Sequence, residues 1–133
     1  MNNYFFFDKE NEVLDFLKKE SLSNLFTEIC VLIGVKMNKF VVKIVKNRSK
    51  DPSVLFYIDP YDYLNFINEN ELLLIFHSHL VGCEKPSEFD EKSSENCCYP
   101  FLIYSINSEK FFLYEPLLKD YDVNKIKRIK DLI

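Results

Sequence analysis

The stretch that decides the fold lies at residues 72–90 and reads LLLIFHSHLVGCEKPSEFD. It opens with five apolar residues, a run typical of a buried strand, and His77 stands at the end of that run. A loop follows as far as Pro86, and Ser87 then has the side chain and the position of a helix N-cap. We therefore expect a buried strand, a loop and a helix in succession, a connection typical of mixed α/β domains.

Both histidines of the protein, His77 and His79, lie in this stretch. Residues two apart on an extended strand have side chains on the same face, so both imidazoles can reach one ion. The loop and the first turn of the helix carry Asp90 back toward them. Two imidazole nitrogens and one carboxylate oxygen are three ligands, which leaves the fourth position of a tetrahedral zinc ion for water. The pattern predicts a catalytic rather than a structural zinc site.

Each half of the pattern also has a purely structural explanation. Two histidines at a strand end are often surface residues or hydrogen-bonded polar residues. Ser87 and Asp90 also match an ordinary helix start, with a capping hydroxyl and an acidic residue three positions later. The occurrence of both halves in one stretch favours the metal site.

The rest of the chain contains further strands and helices. We expect strands at residues 4–7, 27–35, 39–45, 54–58, 101–106 and 110–114, and an amphipathic helix at residues 9–20. Asp59 and Pro60 are a typical helix start, and this helix would end near Asn68. The C-terminal tail is either a strand or a helix. These elements predict one α/β (α+β) domain over residues 1–133, with a mixed sheet flanked by helices.

Composition and charge exclude several classes of function. The chain has 17 basic and 21 acidic side chains, so its net charge of −4 gives no general attraction for phosphates, and we expect no nucleic-acid partner. The basic residues near the C-terminus are more typical of a solvated face than of a nucleic-acid arm; they are Lys125, Lys127, Arg128 and Lys130. With Gly34 and Gly82 as its only glycines, the chain has no glycine-rich phosphate loop.

The cellular location is predicted from the cysteines and from the apolar runs. No run approaches the roughly 18 apolar residues needed to span a bilayer, and the N-terminus has no basic segment of a targeting signal. Cys30, Cys83, Cys97 and Cys98 do not have the spacing of a secreted disulfide framework. We therefore expect reduced thiols, no membrane partner and a cytoplasmic protein.

Residues 77–90 resemble the JAMM motif, which reads His-x-His, seven residues, then Ser-x-x-Asp, without a gap. On this motif the chain is similar to the JAB1/MPN zinc metallopeptidases, which remove ubiquitin or ubiquitin-like proteins from lysine side chains or process their C-termini. That family also has an upstream strand that typically reads Glu-x-Cys-Gly, then apolar residues and Gly. Residues 28–34 here read EICVLIG, with Val31 in place of the usual glycine. Leu80 replaces the proline that usually follows the second histidine.

The resemblance implies a fold, a cofactor and a role for each site residue. The fold would be a JAB1/MPN-type mixed sheet flanked by helices, related to the cytidine deaminase-like fold. One zinc ion per chain, with a bound water, would be held by His77, His79 and Asp90. Glu28 would be the general base, and Ser87 would donate a hydrogen bond to the oxyanion.

Several choices depend on the resemblance alone. By position, Glu20, Glu69 and Glu71 are further candidates for the base, and the similarity around Cys30 and Gly34 selects Glu28. Cys83 lies inside the motif loop, where we expect a loop residue rather than a fourth ligand.

The implied function is that of an isopeptidase acting at the C-terminus of a ubiquitin-like protein or its conjugate, by deconjugation or by precursor processing. Prokaryotic members of the family occur in antiphage operons and beside sulfur-carrier proteins. Two alternatives remain: a non-catalytic MPN scaffold that only binds partners, and a phage tail-assembly peptidase of the same family. Members often pack as dimers, so a homodimer is a further expectation.

Overall fold

The computed structural model describes residues 4–133. Residues 1–3, the start of the segment in which we expect no targeting signal, lie outside the described residues. The strands are β1 (Tyr4–Phe7), β2 (Cys30–Lys36), β3 (Lys39–Val45), β4 (Glu71–His79), β5 (Phe101–Ser105) and β6 (Lys110–Tyr114). The helices are α1 (Glu10–Leu22), α2 (Pro60–Glu69), α3 (Glu88–Cys97) and α4 (Lys127–Leu132), with a 3₁₀ turn at Val123–Ile126 before α4.

The strands form a six-stranded mixed sheet in the order β1-β3-β2-β4-β5-β6. Neighbouring strands are antiparallel except β4 and β5, which are parallel. A parallel pair needs a crossover connection, and the loop after β4 together with α3 provides it. The prediction of a mixed α/β (α+β) sheet flanked by helices is confirmed.

Helices cover both faces of the sheet. On one face, Val13 of α1 and Ile129 of α4 belong to a buried cluster that includes Phe76 of β4. On the other face, Phe66 of α2 is clustered with Ile75 of β4. All residues of β4 between its first and last are buried. A strand covered on both faces has this continuous apolar sequence, which is why β4 was the clearest strand in the sequence.

The connection between β2 and β3 is a two-residue turn. Met37 and Asn38 both have positive φ, 52° and 66°, as a type I′ hairpin turn requires. The hairpin predicted between these two strands is confirmed, as is the one between β5 and β6.

Gly34 lies where the pairing of β2 with β4 changes register. A Cβ atom at this position would lie 2.2 Å from the backbone oxygen of Glu71. Glycine therefore permits the close approach of the two strands at this bulge.

Residues 54–58 do not form the predicted strand. The N–H of Arg48 donates to the carbonyl of Tyr57 at 2.8 Å, and the N–H of Leu55 donates to the carbonyl of Asp51 at 3.0 Å. The backbone of this segment is thus bonded within its own loop rather than to a neighbouring strand. Its aromatic and β-branched residues have strand propensity, but these hydrogen bonds within the loop outweigh it.

Two element boundaries also differ from the prediction. β2 begins at Cys30 rather than at residue 27, because the N–H of Glu28 donates to Pro52 and the N–H of Ile29 donates to the Ser78 hydroxyl. The C-terminal tail is helical, which decides between the two alternatives. Its apolar residues Ile126 and Ile129 are fully buried.

The basic residues of this tail lie at the surface. Lys125 pairs with Glu71 at 2.6 Å, and Lys130 pairs with Glu115 at 2.7 Å. Half of the cluster is thus already neutralised by carboxylates. Among residues 4–133, none of the helices has the length and apolar character needed to cross a bilayer.

Candidate metal centre

The two histidines end β4 on the face that carries Phe66 and Ile75. The His77 side chain is fully buried and that of His79 is 12% exposed. Their ring centroids are 5.1 Å apart, as expected for alternate residues of a strand. His77 lies opposite Cys30 of β2 and beside Ile103 of β5, so neighbouring strands hold it from both sides.

Asp90 reaches the histidines because it is the third residue of α3. The Ser87 hydroxyl accepts the Asp90 N–H at 3.1 Å, and the Asp90 carboxylate accepts the Ser87 N–H at 3.0 Å. This capping box fixes the carboxylate at the helix start. The helix-start interpretation of Ser87 and Asp90 is therefore confirmed, and it leaves the Asp90 carboxylate directed at the histidines.

The structure brings the three predicted ligands into one group. The Nε2 atom of His77 lies 3.2 Å from Oδ1 of Asp90, and the Nε2 atom of His79 lies 3.1 Å from Oδ2. One ligand atom from each residue lies within 4.8 Å of the others. Two imidazoles and one carboxylate suit zinc and other borderline transition-metal ions.

The hydrogen bonds of His79 show that its Nε2 atom is available as a ligand. Its Nδ1 atom lies 2.9 Å from the carbonyl oxygen of Cys83, which can only accept. In the neutral ring the proton is therefore on Nδ1, and Nε2 presents a lone pair to the Asp90 carboxylate. Two acceptors at 3.1 Å require a proton or a metal ion between them.

His77 gives a second indication that the group fits a metal ion. Both ring nitrogens are buried, and among residues 4–133 neither makes a hydrogen bond, although the Nε2 atom lies 3.2 Å from Oδ1 of Asp90. A buried polar atom without a partner costs about 1–3 kcal/mol. A cation bound to the Nε2 atom would remove this cost at the position that faces Asp90.

The pKa shifts of His77 and Asp90 favour the protonation states of metal ligands. Complete burial lowers the pKa of His77, although Asp90 opposes the shift, so the ring is neutral. Burial by itself would raise the pKa of Asp90, but the proximity of both histidines and the hydrogen bond from the Ser87 N–H outweigh it and hold the pKa well below its ordinary range. Burial by itself would lower the pKa of His79, but the Asp90 carboxylate and the Cys83 carbonyl outweigh it and raise the pKa. A neutral imidazole and an ionised carboxylate are the forms that bind metals, so a metal ion would displace the proton that His79 shares with Asp90.

Glu28 lies just before β2, close enough for the charges of His79 and Asp90 to act on its carboxyl. The residue is only 5% exposed. Burial raises its pKa to about 8, the charge of His79 lowers it and the charge of Asp90 raises it. Among the predicted candidates for the base, Glu28 is thus the one that the structure couples to the ligand group.

The other glutamates lie elsewhere. Glu71 begins β4 and pairs with Lys125. It lies six positions before His77 along the extended strand, a distance of roughly 20 Å. Glu20 lies in α1, which packs on the opposite face of the sheet, and Glu69 ends α2.

Two aromatic rings hold His77 in place. Phe56 stacks on the imidazole with ring centroids 4.3 Å apart, and Phe101 meets it edge-on at 5.7 Å. Phe56 was assigned to a strand by the sequence pattern, and nothing local to the loop indicated this contact. Phe101 was predicted as a strand residue, without any indication of its neighbour.

An apolar cavity of about 460 Å³ adjoins the ligand group. Phe56 and Phe101, which contact His77, form part of its wall, and Phe89 and Ser93 from the helix of Asp90 form another part. Within the described part of the chain no charged side chain lines it; the remaining lining residues are Tyr57, Ile58, Pro60, Tyr63, Leu64, Ile75 and Cys97. A larger cavity of about 540 Å³ lies beside α1 and shares no residue with the ligand group.

The four cysteines are free thiols. The backbone carbonyl of Cys83 accepts a hydrogen bond from the Nδ1 atom of His79, and the Cys83 side chain is exposed. Cys97 ends α3 and lines the apolar cavity, and Cys98 adopts the left-handed conformation that ends the helix.

Comparison with known proteins gives information on the fold. No family model matches the chain, and no curated protein matches it. The solution structure of protein DSY2949 from Desulfitobacterium hafniense is similar, with a TM-score of 0.62 over 86% of this chain and 92% of that one. The two sequences are 18% identical, so the likeness concerns the fold alone.

Proposed function

We propose that this chain is a zinc-dependent peptidase that cleaves at the C-terminus of a ubiquitin-like protein, to release it from a conjugate or to process its precursor. The observation that supports this most is the convergence of His77, His79 and Asp90 beside the buried carboxyl of Glu28. A carboxyl with a pKa near neutrality, next to three metal ligands, is suited to amide hydrolysis. The resemblance of residues 77–90 to the JAMM motif supports the substrate class.

His77, His79 and Asp90 would hold the zinc ion, which when bound supplies a water of lowered pKa and polarises the scissile carbonyl. His79 is oriented for this by Cys83, and Asp90 by Ser87. Such outer contacts fix the tautomer and the direction of each ligand.

Glu28 acts as the general base. Its carboxylate oxygen accepts a proton from the attacking water and delivers it to the leaving nitrogen. Burial raises the pKa of Glu28 to about 8, and positive charge at the ligand group lowers it, as the charge of His79 already does. The carboxylate is therefore poised to take up and release a proton near neutral pH.

Ser87 stabilises the oxyanion. Its hydroxyl oxygen accepts the Asp90 N–H, and a hydroxyl that accepts one hydrogen bond can still donate its own hydrogen. Ser87 is exposed, so this hydrogen can reach a substrate. A donor aimed at the developing negative charge is a common source of rate enhancement.

The cavity beside His77 receives apolar side chains of the substrate tail. An apolar cavity of about 150 Å³ holds a benzene ring, so 460 Å³ accommodates side chains of leucine or phenylalanine size. The sheet edges are less accessible to the centre, since β5 separates β6 from β4 and two strands separate β1 from β4. A tail paired with the outer edge of β6 would run three strand spacings, roughly 15 Å, from β4.

Metal content tests the first half of the proposal. We expect about one zinc per wild-type chain, measured by elemental analysis, and loss of zinc in His77→Ala. Cys83→Ser, in the loop that follows β4, is the matched control and should keep zinc. A wild-type chain that binds no zinc, even when zinc is added, would contradict the proposal.

Cleavage tests the second half. The substrate is a ubiquitin-like protein fused through its C-terminus to a reporter. Glu28→Gln should keep zinc and lose turnover, while Glu20→Gln on α1 should keep both. A zinc-containing chain that cleaves no such fusion would favour the non-catalytic MPN scaffold.

A further inference from the structure

Asn47 forms an unusually complete set of hydrogen bonds in the loop between β3 and α2. Its Nδ2 atom donates to the carbonyls of Glu28 at 2.9 Å, Leu55 at 2.9 Å and Pro52 at 3.3 Å. Its Oδ1 atom accepts the N–H of Ser49 at 3.0 Å and of Tyr57 at 3.1 Å. Both hydrogens and both lone pairs of the amide are thus in use.

These bonds reach beyond an ordinary turn. An Asx turn needs only the bond to the residue two positions on, here Ser49. The bond to Glu28 joins residues 19 apart in the sequence. A local turn residue has no need of this contact.

The same side chain connects two parts of the site. On one side it holds the backbone of Glu28, whose own N–H donates to Pro52 of the Asn47 loop at 2.7 Å. On the other side it bonds to Leu55 and Tyr57, the two neighbours of Phe56. Phe56 in turn stacks on His77 at 4.3 Å.

The position of the Glu28 side chain depends on these backbone contacts. Among residues 4–133, none donates a hydrogen bond to the Glu28 carboxylate, so no side-chain contact of that kind orients it. Its direction follows from its backbone, which Asn47 and Pro52 hold before β2 begins.

We infer that Asn47 is a positioning residue that sets Glu28 and Phe56 relative to His77. It touches neither the ligand atoms nor the substrate and acts through the residues that it holds. Its effect on catalysis rests on the proposed function, while its effect on the geometry of the site does not.

Two variants and one matched control test this inference. Asn47→Asp keeps the acceptor for Ser49 and Tyr57 but loses the donor to Glu28. In Asn47→Ser the side chain is shorter and can bond only within the local turn. This variant replaces Asn47→Asp in the test if Asn47→Asp does not fold. The control is Asn70→Asp, which loses a comparable donor to the Phe66 carbonyl at the end of α2.

Amide hydrogen exchange of the full chain is the first measurement. We expect the Glu28 N–H to exchange at least about tenfold faster in the Asn47 variants, and to be unchanged in Asn70→Asp. In the wild type this amide should be protected although it lies outside any strand. Unchanged exchange at Glu28 in a folded Asn47 variant, or wild-type exchange as fast as that of an exposed loop amide, would overturn the inference.

Kinetics of the zinc-loaded chain is the second measurement. A misplaced base lowers kcat by roughly 10–100-fold, and we expect KM and zinc content to stay unchanged. A rise in KM with kcat intact would overturn the positioning role. If the wild type itself cleaves no fusion, the proposed function fails, and the exchange measurement still decides whether Asn47 holds Glu28.

Discussion

Ser78 makes two hydrogen bonds to Ile29, the residue after Glu28. Its hydroxyl oxygen accepts the Ile29 N–H at 2.9 Å, and its own N–H donates to the Ile29 carbonyl at 3.2 Å. Ser78 stands between the two histidines on β4. The strand that carries both histidines therefore also fixes the segment that carries Glu28, which relates the position of Glu28 to those of His77 and His79.

Ser78→Ala should lower both stability and activity. The buried N–H of Ile29 loses its acceptor, which costs about 1–3 kcal/mol, and Glu28 loses a neighbouring support. Unfolding by denaturant and kcat measure the two effects. The control is Ser94→Ala, which removes another buried hydroxyl, the donor to Tyr99; it should lose comparable stability and keep kcat per folded chain. Equal losses of kcat in both variants would show that Ser78 has no special relation to the site.

Asp90→Asn should separate the helix cap from the metal site. The amide oxygen can still accept the Ser87 N–H, so α3 keeps its start, but the ionised ligand is gone. We expect zinc affinity to fall by more than the roughly 10–100-fold typical of losing an outer-shell contact. Competition with a chelator measures this. Asp122→Asn, at the cap of the 3₁₀ turn, should leave zinc affinity unchanged, and an equal fall in both would contradict the assignment.

Glu28 should make the metal-free protein less stable as pH rises. Its pKa is about 8 in the folded chain and 4.5 ordinarily. Between these values the folded state keeps a proton that the unfolded state has lost, so the free energy of unfolding falls with rising pH. The loss amounts to as much as about 4 kcal/mol at pH 8. Denaturant unfolding of chelator-treated protein from pH 5 to pH 8 measures it.

The matched variant for this pH effect is Glu28→Gln, which cannot titrate. Its stability should vary less between pH 5 and pH 8 than that of the wild type and should exceed it at pH 8. Glu20→Gln is the control and should behave as the wild type does. Parallel curves for wild type and Glu28→Gln would show that the Glu28 carboxyl is not shifted.

Ser87→Ala should lower kcat far more than its effect on the helix predicts. Loss of the cap costs about 1 kcal/mol of stability, while loss of an oxyanion donor lowers kcat by roughly 100–1,000-fold. Asp122→Ala removes a cap from the 3₁₀ turn, where its side chain accepts the Asn124 N–H, and should leave kcat intact. A Ser87→Ala enzyme with near-normal kcat would limit Ser87 to the cap.

Leu64→Glu should weaken substrate binding without affecting zinc. Leu64 lines the apolar cavity and is 50% exposed, so α2 tolerates the charge. Losing an apolar contact costs about 1.5 kcal/mol, which raises KM roughly tenfold. Ile67→Glu, on the same helix but outside this cavity, is the control. Equal KM values for the two variants would place the substrate elsewhere.

Much of the fold was predictable because its signals are local. The apolar run of β4, the cap formed by Asp59 and Pro60 and the cap at Ser87 each result from neighbouring residues. The causes are burial of β4 on both faces, the fixed φ of Pro60 and the capping hydroxyl of Ser87. Each of them acts over a single strand or a single helical turn. The strand predicted at residues 54–58 was wrong because the deciding contacts come from outside that segment. Hydrogen bonds to Asn47 and Arg48 outweigh its strand propensity.

The sequence by itself determined the candidate metal-binding group: the spacing of His77 and His79 places them on one face of a strand, and Ser87 places Asp90 in the first turn of a helix. Only the tertiary structure decided the strand order, the burial that raises the pKa of Glu28 and the contacts of Phe56 and Asn47 with the site. These depend on which distant segments meet. Residues 28, 47, 56 and 77 become neighbours through packing between distant segments, and no periodicity or spacing along the chain encodes that packing.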